Sequence, residues 1–215
     1  MEIKVVQNIL SANDQIAAMN RQLLDSHKVF ALNLMSSPGS GKTSLILQTI
    51  RRLKDRIRIG VIEGDIASHL DADKVNKEGV AAVQINTGGS CHLDANMLSH
   101  ALENLPLTDI DLLLIENVGN LVCPAEFNLG EHKKVMILSL PEGDDKPYKY
   151  PLMFAEADVV LINKVDLSPL LEFNIEVFCQ AVRGINHDVT IFPISCKTGD
   201  GIDDWVSWLL AEMVH

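Results

Sequence analysis

The sequence predicts an α/β domain, a mostly parallel seven-stranded sheet covered by helices on both faces, behind an N-terminal helical extension. Three observations carry this. Seven short, almost unbroken apolar runs recur along the 215 residues, and continuous rather than alternating hydrophobicity marks strands buried on both faces. Segments with apolar residues at helical spacing separate most of the runs, the alternation that builds βαβ units. A glycine-rich loop ending in Lys-Thr follows the first run and opens a helix. No Pro/Gly-rich linker or internal repeat divides the chain, so residues 1–28 read as the extension and 29–215 as one domain.

In chain order, residues 8–27 place Ile9, Ile16, Met19, Leu23 and Leu24 on one expected helix face, with Ser11 or Asn13 as the cap. The apolar runs are 29–35, 57–63, 80–85, 111–116, 134–140, 158–163 and 190–195. Helical patterns are expected from the glycine-rich loop to Leu53, from Leu93 to Leu105, and over 151–157, 169–183 and 202–213.

Composition narrows the function. With 18 Lys plus Arg against 29 Asp plus Glu, the formal charge is −11, a poor match for DNA, RNA or anionic lipid, which need a cationic surface. No stretch approaches the roughly 18 apolar residues of a membrane span, and the first residues lack the pattern of a signal peptide. The expectation is a cytoplasmic protein. Its four cysteines are too few for a disulfide scaffold and point to packing, catalysis or metal.

Ser36 to Thr43 reads SSPGSGKT, directly after a strand and before a helix, as a phosphate-binding P-loop requires. Gly39, Ser40 and Gly41 let successive N–H groups turn inward on an anion, and the helix that opens at Lys42, Thr43 and Ser44 adds its positive end. Lys42 reaches the β- and γ-phosphates and the Thr43 hydroxyl suits Mg²⁺. The strict motif has glycine where this chain has Ser36.

Asn163-Lys164-Val165-Asp166 closes the sixth run, at a strand end where α/β ligands bind. The Asp166 carboxylate matches the paired N1–H and 2-amino donors of guanine, which adenine lacks. Asn163 faces the base edge and the Lys164 stem its plane. Ser195-Cys196-Lys197 fits a second base-contacting loop and resembles the SAK motif of GTPases, with Cys196 a small loop residue rather than a ligand.

Asp65 closes the second run and Glu116 the fourth; both are expected to hold Mg²⁺ with Thr43. Glu116-Asn117-Val118-Gly119 has the form of a DxxG motif with Glu in first place, so Gly119 offers its N–H to the γ-phosphate. Asp71 is a candidate switch residue that positions the attacking water. Cys91-His92 and Cys123 leave other strand ends on the same side of the sheet, and thiolate with imidazole suits Zn²⁺ or Ni²⁺. On spacing alone, buried free thiols remain an open alternative for these cysteines. Cys179 reads as core, and His100 and His132, without evident partners, as surface residues.

SSPGSGKT, EGD, TGGSCHLDANM, IENVGNLVCP, PEGDDKPYKYP, NKVD and SCK occur in the order seen in the HypB-type hydrogenase nickel-incorporation GTPases, which the chain resembles from about residue 3 to its end. TGGSCHL and ENVGNLVCP are the specific parts. The resemblance implies the three-layer fold of the signal-recognition/MinD class of P-loop NTPases. It further implies binding of GTP and GDP with Mg²⁺, a nucleotide-dependent homodimer, and Cys91, His92 and Cys123 as ligands for nickel or zinc. The implied partners are a nickel-chaperone protein and the large subunit of [NiFe]-hydrogenase. Some members carry an N-terminal CxxCGC motif or a His-rich stretch. This chain has neither, so metal storage there is not expected.

The expected activity is slow, regulatory GTP hydrolysis, with Lys42, Asp65 and Asp71 as its catalytic residues. Three rivals stand beside it: a GTPase chaperone of the urease or cobalamin-enzyme type, a metal-binding module with a vestigial nucleotide site, and a small-molecule kinase. The Cys91-His92 pair without an intervening proline disfavours the first, intact Lys42, Thr43 and Asp166 the second, and NKVD the third.

Overall fold

A computed structural model describes residues 5–65 and 74–214. Asp71 lies outside the described residues. The strands are β1 (Phe30–Ser36), β2 (Ile59–Asp65), β3 (Ala81–Asn86), β4 (Leu112–Glu116), β5 (Lys133–Ser139), β6 (Val159–Asn163) and β7 (Thr190–Pro193). They form one sheet in the order β3-β2-β4-β1-β5-β6-β7, and every neighbouring pair is parallel. The mostly parallel sheet expected from sequence is thus wholly parallel among the described residues. Each expected run lies within two residues of its strand.

Strand side chains alternate between two cores. On one face Leu32, Leu34, Leu112, Leu114, Val159 and Leu161 pack with α2 (Lys42–Leu53) and α8 (Ile202–Glu212). On the other, Ala31, Ile62, Leu113 and Ile115 meet α1 (Val5–Ser26) and α3 (Ala95–Leu102). Farther along that face Met136, Leu138, Val160 and Ile162 meet α6 (Pro151–Ala155) and α7 (Ile175–Ile185). Two short helices, α4 (Cys123–Glu126) and α5 (Lys146–Lys149), carry no sequence periodicity.

Helix α7 starts at Ile175 rather than 169 because Pro169 sits in a 3₁₀ segment, Val165–Leu170, and Asn174 caps the helix by accepting from the Val177 N–H at 3.1 Å. The largest departure is α1. It begins at Val5, so Ser11 and Asn13 lie inside it and cap nothing. Its buried face is Asn13, Ala17, Asn20 and Leu24, whereas Ile9 and Met19 are 53% and 67% exposed. Polar anchoring decides this rotation. Asn13 Oδ1 accepts the Ala95 N–H at 2.8 Å and its Nδ2 donates to Asn128 O at 2.7 Å. Asn20 Nδ2 donates to Ala95 O (2.8 Å) and Leu129 O (3.0 Å). These bonds satisfy the first N–H of α3, which has no intrahelical acceptor, and carbonyls of the 128–129 loop. No helix among the described residues is long and apolar enough to cross a membrane.

Candidate functional site

The carboxyl ends of β1, β2 and β4 line one cleft, with Gly39, Lys42, Thr43, Gly64, Glu116 and Gly119 in its wall. Parallel register brings them there, since Leu34 and Glu63 both pair with Glu116. Gly41 has φ +109°, in the left-handed region open to glycine, and hands the loop into α2. Lys42 is 7% exposed, and its Nζ donates to Ser36 Oγ at 2.9 Å. Ser36, the departure from the strict motif, thus offers its hydroxyl to the Lys42 ammonium. Ser37 Oγ donates to Glu142, which also accepts from the Ser139 N–H (2.7 Å) and Oγ (2.8 Å) and so ties the loop to the end of β5.

Thr43 Oγ1 donates to the Glu116 carboxylate, 3.0 and 3.2 Å from its two oxygens. A hydroxyl beside a carboxylate, both from rigid elements, is an all-oxygen donor set of the kind Mg²⁺ takes. Asp65 ends β2 at the level of Asn86. Gly119 presses against the loop, where a Cβ on it would stand 2.9 Å from Pro38 N and 3.0 Å from its Cα.

The base-recognition residues also converge. Asn163 is 2% exposed. Its Nδ2 donates to Ser40 O at 2.8 Å, and its Oδ1 accepts from Lys164 N (2.7 Å) and Cys196 N (3.1 Å). It thereby holds the phosphate loop against both base loops. Lys164, at φ +64°, donates from Nζ to Gly39 O at 2.7 Å. Asp166 is oriented by Ser195, whose Oγ donates to it at 2.7 Å, with Lys197 Nζ 4.0 Å away. Burial pushes the Cys196 thiol up to about 11, so it stays protonated at neutral pH.

The third cluster needs loops from two strand ends. The segment after β3 and the start of α4 bring Cys91, His92 and Cys123 together, with one ligand atom from each within 4.8 Å of the others. Cys91 Sγ lies 3.1 Å from Cys123 Sγ and 3.6 Å from His92 Nδ1. The hydrogen bond shared with Cys91 holds the Cys123 thiol above its ordinary value, and burial adds to this. Burial pushes His92 down, despite Asp94 and Glu126, which favours the neutral imidazole that binds metal. The His92 ring packs against Phe127 in a tilted arrangement, 4.0 Å between centroids and 32° between planes.

Sequence reasoning missed Glu142, Phe127 and Lys74, which lines the cleft. Glu142 lies within the PEGDDKPYKYP stretch but without a role assigned from sequence, and Glu142 and Phe127 are placed by contacts distant in sequence. It also placed His132 on the surface. The ring is instead half-buried, accepting the Ala31 N–H at Nδ1 (3.0 Å) with Nε2 2.9 Å from Asp25 Oδ1. His100 is exposed, and Cys179 packs against the core.

Residues 30–193 match the family described as CobW/HypB/UreG, nucleotide-binding domain. The hydrogenase maturation factor HypB of Escherichia coli (strain K12) is 49% identical over 207 residues, 96% of this chain and 71% of that protein. The crystal structure of HypB from Archaeoglobus fulgidus is similar with a TM-score of 0.89 and 40% identity, covering 94% of this chain and 99% of that one. HypB from Helicobacter pylori, solved in complex with nickel, matches with a TM-score of 0.89 and 40% identity over 94% of this chain and 95% of that one. The phosphate loop, the thiol–imidazole cluster and these likenesses agree that the chain belongs to the HypB family of hydrogenase maturation factors, within the CobW/HypB/UreG nucleotide-binding class.

Proposed function

We propose that this protein hydrolyses GTP to GDP and phosphate and uses the nucleotide state to set the grip of the Cys91–His92–Cys123 cluster on nickel, or on zinc, during [NiFe]-hydrogenase maturation. Water attacks the γ-phosphate in line, and Lys42 neutralises charge on the transferring group. Mg²⁺, when bound, supplies further charge neutralisation, with Thr43, Asp65 and Glu116 as the residues to hold it. Gly119 offers its N–H to the γ-phosphate, and Asp71 is the switch residue that orients the water. Asn163, Lys164, Asp166 and the 195–197 loop select guanine. The metal ligands are Cys91, His92 and Cys123, with thiolate and imidazole donors suited to nickel and zinc.

The observation that supports this reading is that one short segment adjoins both residue clusters. Residues 116–123 run from the Thr43-bonded Glu116 to Cys123, which touches Cys91. Three ligands make an open site, and a two-fold homodimer that forms with nucleotide completes it. A nickel-chaperone protein and the large subunit of [NiFe]-hydrogenase are its partners, in the cytoplasm. Nickel and zinc affinities measured with GDP and with a non-hydrolysable GTP analogue test the coupling. The expectation is a difference of about 5- to 150-fold, the usual range for linked sites; equal affinities and stoichiometries would sink it.

A further inference from the structure

Asn117 is fully buried between the two sites, and each of its side-chain atoms is committed. Its Oδ1 accepts the Leu93 N–H at 3.0 Å and the Val118 N–H at 2.9 Å. Those two donors set the amide's orientation, and its Nδ2 then donates to Asn33 Oδ1 at 3.1 Å. Asn33 projects from β1 and donates onward to Glu131 Oε1 at 3.2 Å, while Glu131 Oε2 accepts from Leu129 N at 2.7 Å. Asn33 and Glu131 are 0% and 5% exposed. The Asn117 amide is thus held from below by a buried polar chain and grips two loops above.

Those loops belong to different sites. Glu116, the preceding residue, bonds Thr43, and Gly119, two residues on, abuts Pro38 of the phosphate loop. Leu93 directly follows His92 and is fully buried, so its amide and side chain together pin the end of the metal segment. The covalent route from Asn117 to the Cys123 thiol runs through five residues, including the exposed Val122. The hydrogen bond to Leu93 is the shorter connection and lies in the low-dielectric interior, where such bonds are strong.

We propose that Asn117 is a positioning residue that makes the nucleotide-facing turn at Glu116–Gly119 and the Cys91–His92 segment move as one. The proposal rests on the coupling put forward above and gives it a route. When the turn draws in on a γ-phosphate, the Asn117 carbonyl carries the Leu93 N–H with it and reorients His92 and Cys91. The side chain must accept two hydrogen bonds at one atom and be held by a donor at the other. An apolar residue would leave two buried N–H groups unpaired.

The test uses the full chain, with nickel(II) and zinc(II) each titrated in competition with a chromophoric chelator, once with GDP and once with a non-hydrolysable GTP analogue. Wild type, Asn117→Ala and Asn117→Asp are compared. Wild type is expected to show an affinity ratio of about 5- to 150-fold between nucleotide states, and Asn117→Ala a ratio within about twofold of one. Asn117→Asp keeps the accepting oxygen but loses the donor to Asn33 Oδ1, and its ratio is expected to fall between those of wild type and Asn117→Ala. A purely structural role lowers the melting temperature of Asn117→Ala but leaves its ratio at the wild-type value, and that result overturns the proposal while sparing the coupling. A wild-type ratio of one overturns both. Should Asn117→Ala not fold, hydrogen exchange of the Leu93 amide in the wild type decides. A rate that changes between GDP and the analogue supports the relay, and an unchanged rate refutes it.

Discussion

Replacing Asn163 by alanine separates two roles that a base-recognition asparagine can have. Its side chain makes three hydrogen bonds, to Ser40 O, Lys164 N and Cys196 N, at 2.8, 2.7 and 3.1 Å, and is 2% exposed. Truncation strands one buried carbonyl and two part-buried amides. At about 1 kcal/mol per bond, Asn163→Ala should destabilise the nucleotide-free protein by about 3 kcal/mol. The phosphate loop and the 195–197 loop then lose their common anchor, and binding must order both. GDP affinity is expected to fall at least about tenfold, worth about 1.4 kcal/mol. Urea unfolding without nucleotide gives the first quantity, and displacement of a fluorescent GDP analogue gives the second. A residue that only touched the base would lower affinity and leave the nucleotide-free protein untouched. Unfolding free energy within about 0.5 kcal/mol of wild type, the spread of neutral surface changes, would therefore refute the scaffold argument.

Cys123→Ala removes one ligand and the thiol contact to Cys91, and should weaken nickel and zinc binding by more than the roughly 10- to 100-fold that outer-sphere changes cost; chelator competition giving wild-type affinity would remove Cys123 from the site. Ser36→Ala deletes the acceptor for Lys42 Nζ and, at about 1.5 kcal/mol for a bond to a charged donor, should slow GTP hydrolysis about tenfold with little change in unfolding; an unaltered rate means Lys42 needs no such guide. His132 supplies a pH dependence. Burial and then Arg21 hold its pKa below 6.5, against the pull of Asp25 and Glu131, and the Ala31 N–H needs Nδ1 unprotonated. The unfolded chain therefore binds the extra proton first, so stability is full above about pH 6.5 and declines as pH falls toward the lowered folded value. Unfolding across that range should show His132→Gln with a shallower slope, and equal slopes would rule the contribution out.

Much of the site was legible because its residues are neighbours in sequence. The phosphate loop is eight consecutive residues whose glycines and Lys-Thr have no other use, and NKVD sits where a buried strand runs out. The thiol–imidazole cluster was half legible. Its residue types were suggestive, but only the meeting of the loops after β3 and β4 puts Cys91 within reach of Cys123. Phe127 carried no signal and Glu142 only its place in PEGDDKPYKYP, since a ring packed against His92 and a carboxylate tethering Ser37 are defined by contacts between distant segments. Helix α1 shows why hydrophobic periodicity misled. Ile9, Met19 and Leu23 share a face, yet the face that packs is the one whose asparagines answer the Ala95 N–H and the carbonyls of 128–129.

The sequence by itself determined the order and type of elements, the phosphate and guanine motifs and the family, because these depend on spacing along a chain whose local geometry is nearly invariant. The tertiary structure alone decided which face of α1 is buried, that Lys42 bonds Ser36, that Asn163 braces three loops, and that Asn117 bonds the Leu93 amide. Each of these is a polar group finding a partner in a place water cannot reach. Which partner it finds depends on where the parallel sheet lays strands that are far apart in the chain.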